Sequence, residues 1–249
     1  MSLVKVDLFK AGIDAKLGQN RKLMQFVEQE SAEGLQVGTF QVVTNTYIGD
    51  ATVIAAGQAI PLSDLTQEKT PVKFEKIGKG VAVTDEDRRQ SFGDPVANAE
   101  NQTVQAIDGK AEAKVATAMK GAKFSIEVLA LDSEAILDAI EVMGEGIEDA
   151  PYFLVVHPSV YAGLQKEMGA EFNLNNNPFG ATIVMSSRLD NDEAYLIQEG
   201  ALKEIIQKDT DVEVARNASK KQDEIYTDKI HAVYIQDQAK LVKIVVAGE

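Results

Sequence analysis

The chain has 249 residues, 45% of them hydrophobic and 26% charged, the proportions of an ordinary globular protein long enough to bury a substantial core. It contains no cysteine, which excludes disulfides, thiolate nucleophiles and cysteine-based metal sites. Its formal charge of −14 makes it repel nucleic acid on average, because binding a polyanion needs a basic face.

That charge is uneven. Residues 1–24 carry Lys5, Lys10, Lys16, Arg21 and Lys22 against Asp7 and Asp14. This basic start is either a solvated amphipathic segment or a contact for nucleic acid or an acidic neighbour. It lacks the apolar core of a signal peptide, and no stretch approaches the roughly 18 apolar residues of a membrane span. A cytoplasmic product with no membrane contact is expected.

In chain order, residues 7–30 place Leu8, Ile13, Leu17, Leu23, Phe26 and Val27 at helical spacing, with Gly12 and Gly18 weakening the helix. This predicts an arm ordered by its neighbours. From Val37 to Ile60, "TFQVVTNTYIG" and "ATVIAAG" read as strands punctuated by glycine. A polar stretch bounded by Pro61 and Pro71 follows, and prolines argue against a central strand. "VKFEKIGKGVAVT" then reads as a strand with a break at Gly78–Gly80. Residues 37–83 therefore predict a long two-stranded excursion, which is marginal in water unless it lies on something.

"TDEDRRQS" reads as a helix start, with Thr84 or Asp85 as cap and Glu86 and Asp87 at the positive dipole end. Arg88 and Arg89 are candidates to bridge a neighbouring chain. A long helix is predicted from Pro95 to Gly121, about 39 Å at ~1.5 Å per residue. Its apolar residues Val104, Ile107, Ala111, Val115 and Ala118 form one narrow stripe, too thin for a coiled coil. Gly109 costs roughly 1 kcal/mol relative to alanine in mid-helix. Such a helix suits a brace lying across a sheet. Residues 125–205 alternate strands ("FSIEVLAL", "PYFLVVH", "GATIVMSS", "EAYLIQ") with helices ("DSEAILDAIEVMG", "PSVYAGLQKEMG"), which predicts a compact α/β lobe. "ALKEIIQ" is ambiguous. The tail alternates in two or three strands expected to pack back on the long helix.

Chemistry-bearing patterns are sparse. Phosphate-loop, dinucleotide, zinc-helix and nucleophile-elbow motifs do not occur. His157, at a strand end with Ser159 nearby and Asp190 or Asp192 further on, is the one place for a Ser/His/Asp arrangement; the plainer reading is a polar strand-end residue. His231 reads as an ordinary strand residue. The carboxylates of 85–87, 145–149 and 190–193 lack the alternating ligands of a calcium loop. No cofactor, metal or catalytic residue is expected.

The order of elements carries more. "TPVKFEKIGKGVAVTDEDRRQS", "PYFLVVHPSVYAGLQKE", "NPFGATIVMSSRL" and "DVEVARNASKKQDEIYTDKIHAVYIQDQAKLVKI" stand in an order that resembles the major capsid proteins of tailed phages, an α+β class known as the Hong Kong 97 fold. The resemblance implies an N-terminal arm (1–36), an extended β loop with its lead-in strand (37–83), a peripheral domain with the spine helix (84–124 and 206–249) and an axial α/β domain (125–205) near the five-fold and six-fold axes. It implies self-assembly as pentamers and hexamers into an icosahedral shell around DNA, in the virion, after assembly in the host cytoplasm. Inter-subunit contact is then expected at Asp85, Glu86, Arg88 and Arg89 and at Pro61, Leu62 and Leu65 of the loop. The basic residues Lys5, Lys10, Lys16, Arg21 and Lys22 become candidates to touch a scaffold or the genome. A portal protein, and a separate scaffolding protein or none, are the implied partners, since the β excursion begins too early for a long cleaved leader. Lys69, Lys73, Lys76 and Lys79 have no paired asparagine that would suggest a cross-link. The alternatives are an encapsulin-like cargo shell and a cytoplasmic α/β enzyme.

Overall fold

The computed structural model describes residues 6–18, 21–34, 38–45, 53–54, 58–60, 62, 64, 67–90, 94–144, 151–169 and 178–247. The chain opens with α1 (Val6–Lys16), a 3-10 turn (Leu23–Phe26) and β1 (Val27–Ser31). A hairpin of β2 (Thr39–Asn45) and β3 (Gln67–Lys73) leads into β4 (Glu75–Thr84) and α2 (Asp85–Gln90). The long helix α3 (Pro95–Met119) follows, then β5 (Phe124–Val128), α4 (Ser133–Met143), β6 (Tyr152–Val156), α5 (Pro158–Met168), β7 (Thr182–Met185) and β8 (Glu193–Gln198). Two long strands, β9 (Leu202–Asn217) and β10 (Gln222–Ile235), precede β11 (Leu241–Val246).

These strands make a four-stranded sheet in the order β1-β9-β10-β4, a five-stranded sheet in the order β5-β11-β8-β6-β7, and the β2-β3 hairpin. Helix α3 starts where the sequence places it. Asp94 caps it, accepting from the amides of Val96 at 2.9 Å and Ala97 at 3.2 Å, and Pro95 takes the first turn.

The thin apolar stripe is explained by what surrounds α3. Its N-terminal half lies between α1 and the four-stranded sheet, where Val104 and Ala99 meet Phe9, Ile13, Val83, Val212 and Ile225. Its C-terminal half packs Val115, Ala116 and Met119 with Leu23 and Phe26 of the 3-10 turn and with Val155, Val184 and Tyr195 of the five-stranded sheet. Small residues let these layers approach closely, so alanines count as core. The opposite face of the five-stranded sheet is covered by α4 and α5, through Ala135, Ile136, Tyr161 and Leu164.

Three expectations change and a fourth is refined. The arm is not helical to residue 30: Gly18 has φ +85°, a left-handed conformation that stops α1, and residues 27–31 form a strand parallel to β9. No break occurs at Gly78–Gly80; β4 is continuous and pairs with β10 throughout. The glycines are there for space, since a Cβ at Gly80 would lie 3.2 Å from the Tyr226 ring and one at Gly78 3.0 Å from the Thr227 carbonyl. The ambiguous "ALKEIIQ" opens the 16-residue β9. Finally, the tail strands do pack on the long helix, but in two sheets: β9 and β10 lie in the four-stranded one, while β11 inserts between β5 and β8 in the five-stranded one, with Leu241 in the same core cluster as Val115 and Met119.

His231 also departs from an ordinary strand residue. It is fully enclosed, and its Nδ1 lies 2.6 Å from Glu204 Oε1, which accepts from Lys229 Nζ at 3.0 Å; Gln29 of β1 donates to the other oxygen at 2.9 Å. Burial alone pushes the Glu204 carboxyl up, but the bonds from His231 and Lys229 outweigh it and bring it down from 4.5 to about 2. Glu204→Gln strands the buried Lys229 and is expected to cost about 3 kcal/mol near neutral pH. A depressed folded pKa gives stability that is present above the unfolded value and lost as pH falls through the folded one. The difference between the two chains is therefore expected to shrink from pH 4.5 towards 2. Melting temperatures across that range check it; a constant difference rejects the ion-pair account.

Candidate assembly surfaces

None of the described side chains of the β2-β3 hairpin is buried. Its register pairs Thr39 with Lys73 and Asn45 with Gln67. Pro71, which lacks an amide donor, is accommodated because a two-stranded ribbon has free edges. Its base is fixed by aromatic packing: Phe40 stacks on Phe74 at 5.0 Å and meets the Tyr234 edge at 5.8 Å. Beyond the base, apolar side chains face solvent, among them Val43, Ile60 and Leu62, the last 98% exposed. Pro61 and Leu65 lie outside the described residues. Exposed apolar side chains of this kind mark a candidate interaction surface.

The charged turn after β4 is built inward. Thr84 Oγ accepts from the Asp87 amide at 3.0 Å and its hydroxyl donates to the Asp87 carboxylate at 2.6 Å, closing the start of α2. Arg216 of β9 grips Asp85 through both guanidinium nitrogens, at 2.8 and 2.5 Å, and reaches Asp223 at 3.2 Å. Hydrogen bonding from that guanidinium holds the Asp85 carboxyl below its ordinary range. Arg88 donates to the other oxygen of Asp223 at 3.3 Å. Of the four expected contact residues here, Asp85 and Arg88 engage their own chain, while Glu86 and Arg89 are exposed.

The basic arm is likewise engaged. Lys16 pairs with Glu100 at 2.8 Å. Arg21 forms an enclosed ion pair with Asp108, which also accepts from the Gly18 amide at 3.2 Å. Lys10 and Lys22 keep exposed side chains, and Lys5 lies outside the described residues. The acidic row Glu100, Asp108 and Glu112, one or two turns apart on α3, thus holds the arm; nothing in the helix's apolar spacing signals it.

Further exposed apolar side chains are Leu129, 89% exposed just after β5, and Leu137 and Val142 on α4. His157, by contrast, is a cap. Its Nδ1 faces Ser159 Oγ at 2.6 Å and accepts from the Ser159 amide at 3.2 Å at the start of α5. Asp190 pairs with Lys120 at 2.5 Å instead of turning to the imidazole. Of the candidate Ser/His/Asp set, His157 and Ser159 therefore come together, and Ser159 Oγ donates to the Asn191 carbonyl at 3.4 Å, but Asp190 is engaged by Lys120. Among the described residues no three His, Asp or Glu side chains converge as a metal set, and no helix is long and apolar enough to cross a membrane. The carboxylates of 145–149 lie outside the described residues.

Comparison with known proteins agrees with this architecture. A family model described as phage capsid protein matches residues 67–244. The chain is 30% identical over 247 residues to the major capsid protein of Staphylococcus phage phiMR11, covering 93% of this chain and 89% of that one. Among solved structures, the capsid of a native GTA particle superposes with a TM-score of 0.75 at 12% identity, over 91% of this chain and 90% of that one. Mycobacterium phage Che8 gives 0.70 at 17% identity, over 91% and 92%. The virus-like particle from Pyrococcus furiosus gives 0.66 at 13% identity, over 96% and 98%. At these identities the structural likenesses establish the fold.

Proposed function

The chain belongs to the phage capsid protein family, as a major capsid protein of the virion shell with the Hong Kong 97 fold, and from that premise we propose that it assembles as pentamers and hexamers into the closed icosahedral head enclosing phage double-stranded DNA. The observation that carries this reading is the exposed apolar side chains of the hairpin segment. Its base is packed and its far residues, such as Leu62, are bare, so the apolar surface is completed by a neighbouring copy. Pro61, Leu62 and Leu65, with Glu86 and Arg89, are the residues assigned to that contact. Many modest contacts around a closed shell add up by multivalency, so none needs to be strong.

The net charge of −14 suits a wall that must contain DNA without gripping it, because affinity grows with the phosphates neutralised. Lys5, Lys10 and Lys22 remain for a separate scaffolding protein or the genome, since Lys16 and Arg21 are paired within the chain. The five-stranded sheet with α4 and α5 forms the axial domain near the symmetry axes, the four-stranded sheet with α3 the peripheral domain, and a portal protein occupies one vertex.

A cargo-holding shell is the second reading; it is compatible with the same fold, which the virus-like particle from Pyrococcus furiosus shares over 96% of this chain. Negative-stain electron microscopy with sedimentation velocity on the purified chain tests the proposal. Closed particles or rings of five or six support it, and nucleic acid inside heads recovered from host cells separates genome from protein cargo. A monomer or dimer that persists when scaffold-containing phage lysate is added overturns it.

A further inference from the structure

Glu112 of α3 is bonded from two directions. Its Oε1 accepts from the Lys22 amide at 2.5 Å and the Leu23 amide at 3.2 Å, closing the free end of the arm's 3-10 turn. Its Oε2 accepts from Arg188 Nε at 3.2 Å. Arg188 belongs to the turn after β7 in the five-stranded sheet, where its own amide is bonded to Ser186 Oγ at 3.3 Å. One carboxylate therefore joins the N-terminal arm, the long helix and the five-stranded sheet.

The unexplained glycine in mid-helix belongs to the same place. Gly109 lies one turn before Glu112, and a Cβ there would stand 2.8 Å from Arg188 Nη2. Glycine leaves room for the guanidinium to cross the helix and reach Glu112. The helix thus accepts a propensity loss at this position to let the strap pass. One turn away on the arm's side, Asp108 holds Arg21 and the Gly18 amide, so the arm is already drawn against the helix where Glu112 caps it.

We propose that Glu112, oriented by Arg188 across Gly109, is a positioning residue that couples seating of the N-terminal arm to the placement of the five-stranded sheet against the long helix. The physical basis is that a carboxylate has one orientation to divide between its two oxygens. With Arg188 on Oε2, Oε1 points at the two arm amides. Without Arg188 the side chain is free to rotate, and the arm loses its cap although nothing in the arm has changed. Coupling of this kind is reciprocal, so loosening the arm frees the Arg188 turn equally.

Hydrogen–deuterium exchange on the full-length wild-type, Arg188→Ala and Gly109→Ala chains tests this. Arg188→Ala removes the strap. Gly109→Ala pushes the guanidinium aside while installing the best helix former, so it stays folded even where loss of Arg188 does not. Both are expected to raise exchange across residues 16–26 at least about fivefold, although neither residue bonds to the arm, and Arg188→Lys is expected to recover part of the protection. A rise confined to residues 182–190 in both variants overturns the proposal, leaving Glu112 with two independent contacts. The measurement needs only the isolated subunit, so a failure to form shells does not affect its outcome.

Discussion

Replacing residues 46–66 with an Asn-Gly turn is expected to leave a folded subunit that forms no closed shells. Asn45 and Gln67 are paired across the hairpin, so a two-residue type I′ turn joins them without shifting register. The packed base, Phe40 with Phe74 and Tyr234, is retained. The melting temperature should move by no more than about 2 °C, since the described residues of the removed segment are exposed. Shell formation should fail outright on the proposed assembly, in which this apolar segment is what each copy lays on its neighbour. Electron microscopy of the variant beside wild type decides the matter: normal heads would show that this hairpin is not an assembly element.

Ile107→Asp is the opposite case, a fault confined to the subunit. Ile107 is 2% exposed and packs with Ile77, Ala111 and Leu17 between the long helix and the four-stranded sheet. No basic group is bonded there to receive a carboxylate, so the charge is buried unpaired. A loss of about 4 kcal/mol or more is expected, which lowers the melting temperature by roughly 10 °C or prevents folding. Ile107→Val, which removes only one methylene, should cost about 1 kcal/mol and still assemble. An unchanged melting temperature in the aspartate variant would mean that the stripe is not core.

Those two variants reflect what was legible in the sequence. Asp94-Pro95 and the apolar spacing of residues 104–118 specified the long helix, because caps and periodicity are local. Strand pairing was not legible. Val27 pairs with Leu202, and Phe124 with Val242, and no local rule connects positions so far apart. Leu23, Phe26 and Val27 mimic helical spacing because a single 3-10 turn followed by a strand satisfies the same intervals. His231 reads in sequence as an ordinary strand residue and Glu204 falls in the ambiguous "ALKEIIQ"; that they and Lys229 turn inward depends on which face the sheet buries. Gly109 was a legible anomaly, a cost without a visible return, and Arg188 supplied the reason only in three dimensions. Of the expected contact residues, Asp85 and Arg88 also make ion pairs within the chain, to Arg216 and Asp223 far along the sequence, which no local pattern announces.

The strand order has a kinetic consequence. Each sheet draws strands from distant parts of the chain: β1 needs β9, and β5 reaches the rest of its sheet only through β11. Neither sheet can close while only its nearest sequence neighbours are present, so loop-closure entropy must be met before most native contacts form. A topology of this kind folds slowly, and during that interval β8 and β5 expose strand edges able to pair with the wrong chain. For a protein made in many copies at once, yield is then governed by a race between folding and aggregation, in which slower synthesis, lower temperature or chaperone supply raises the fraction of competent subunits.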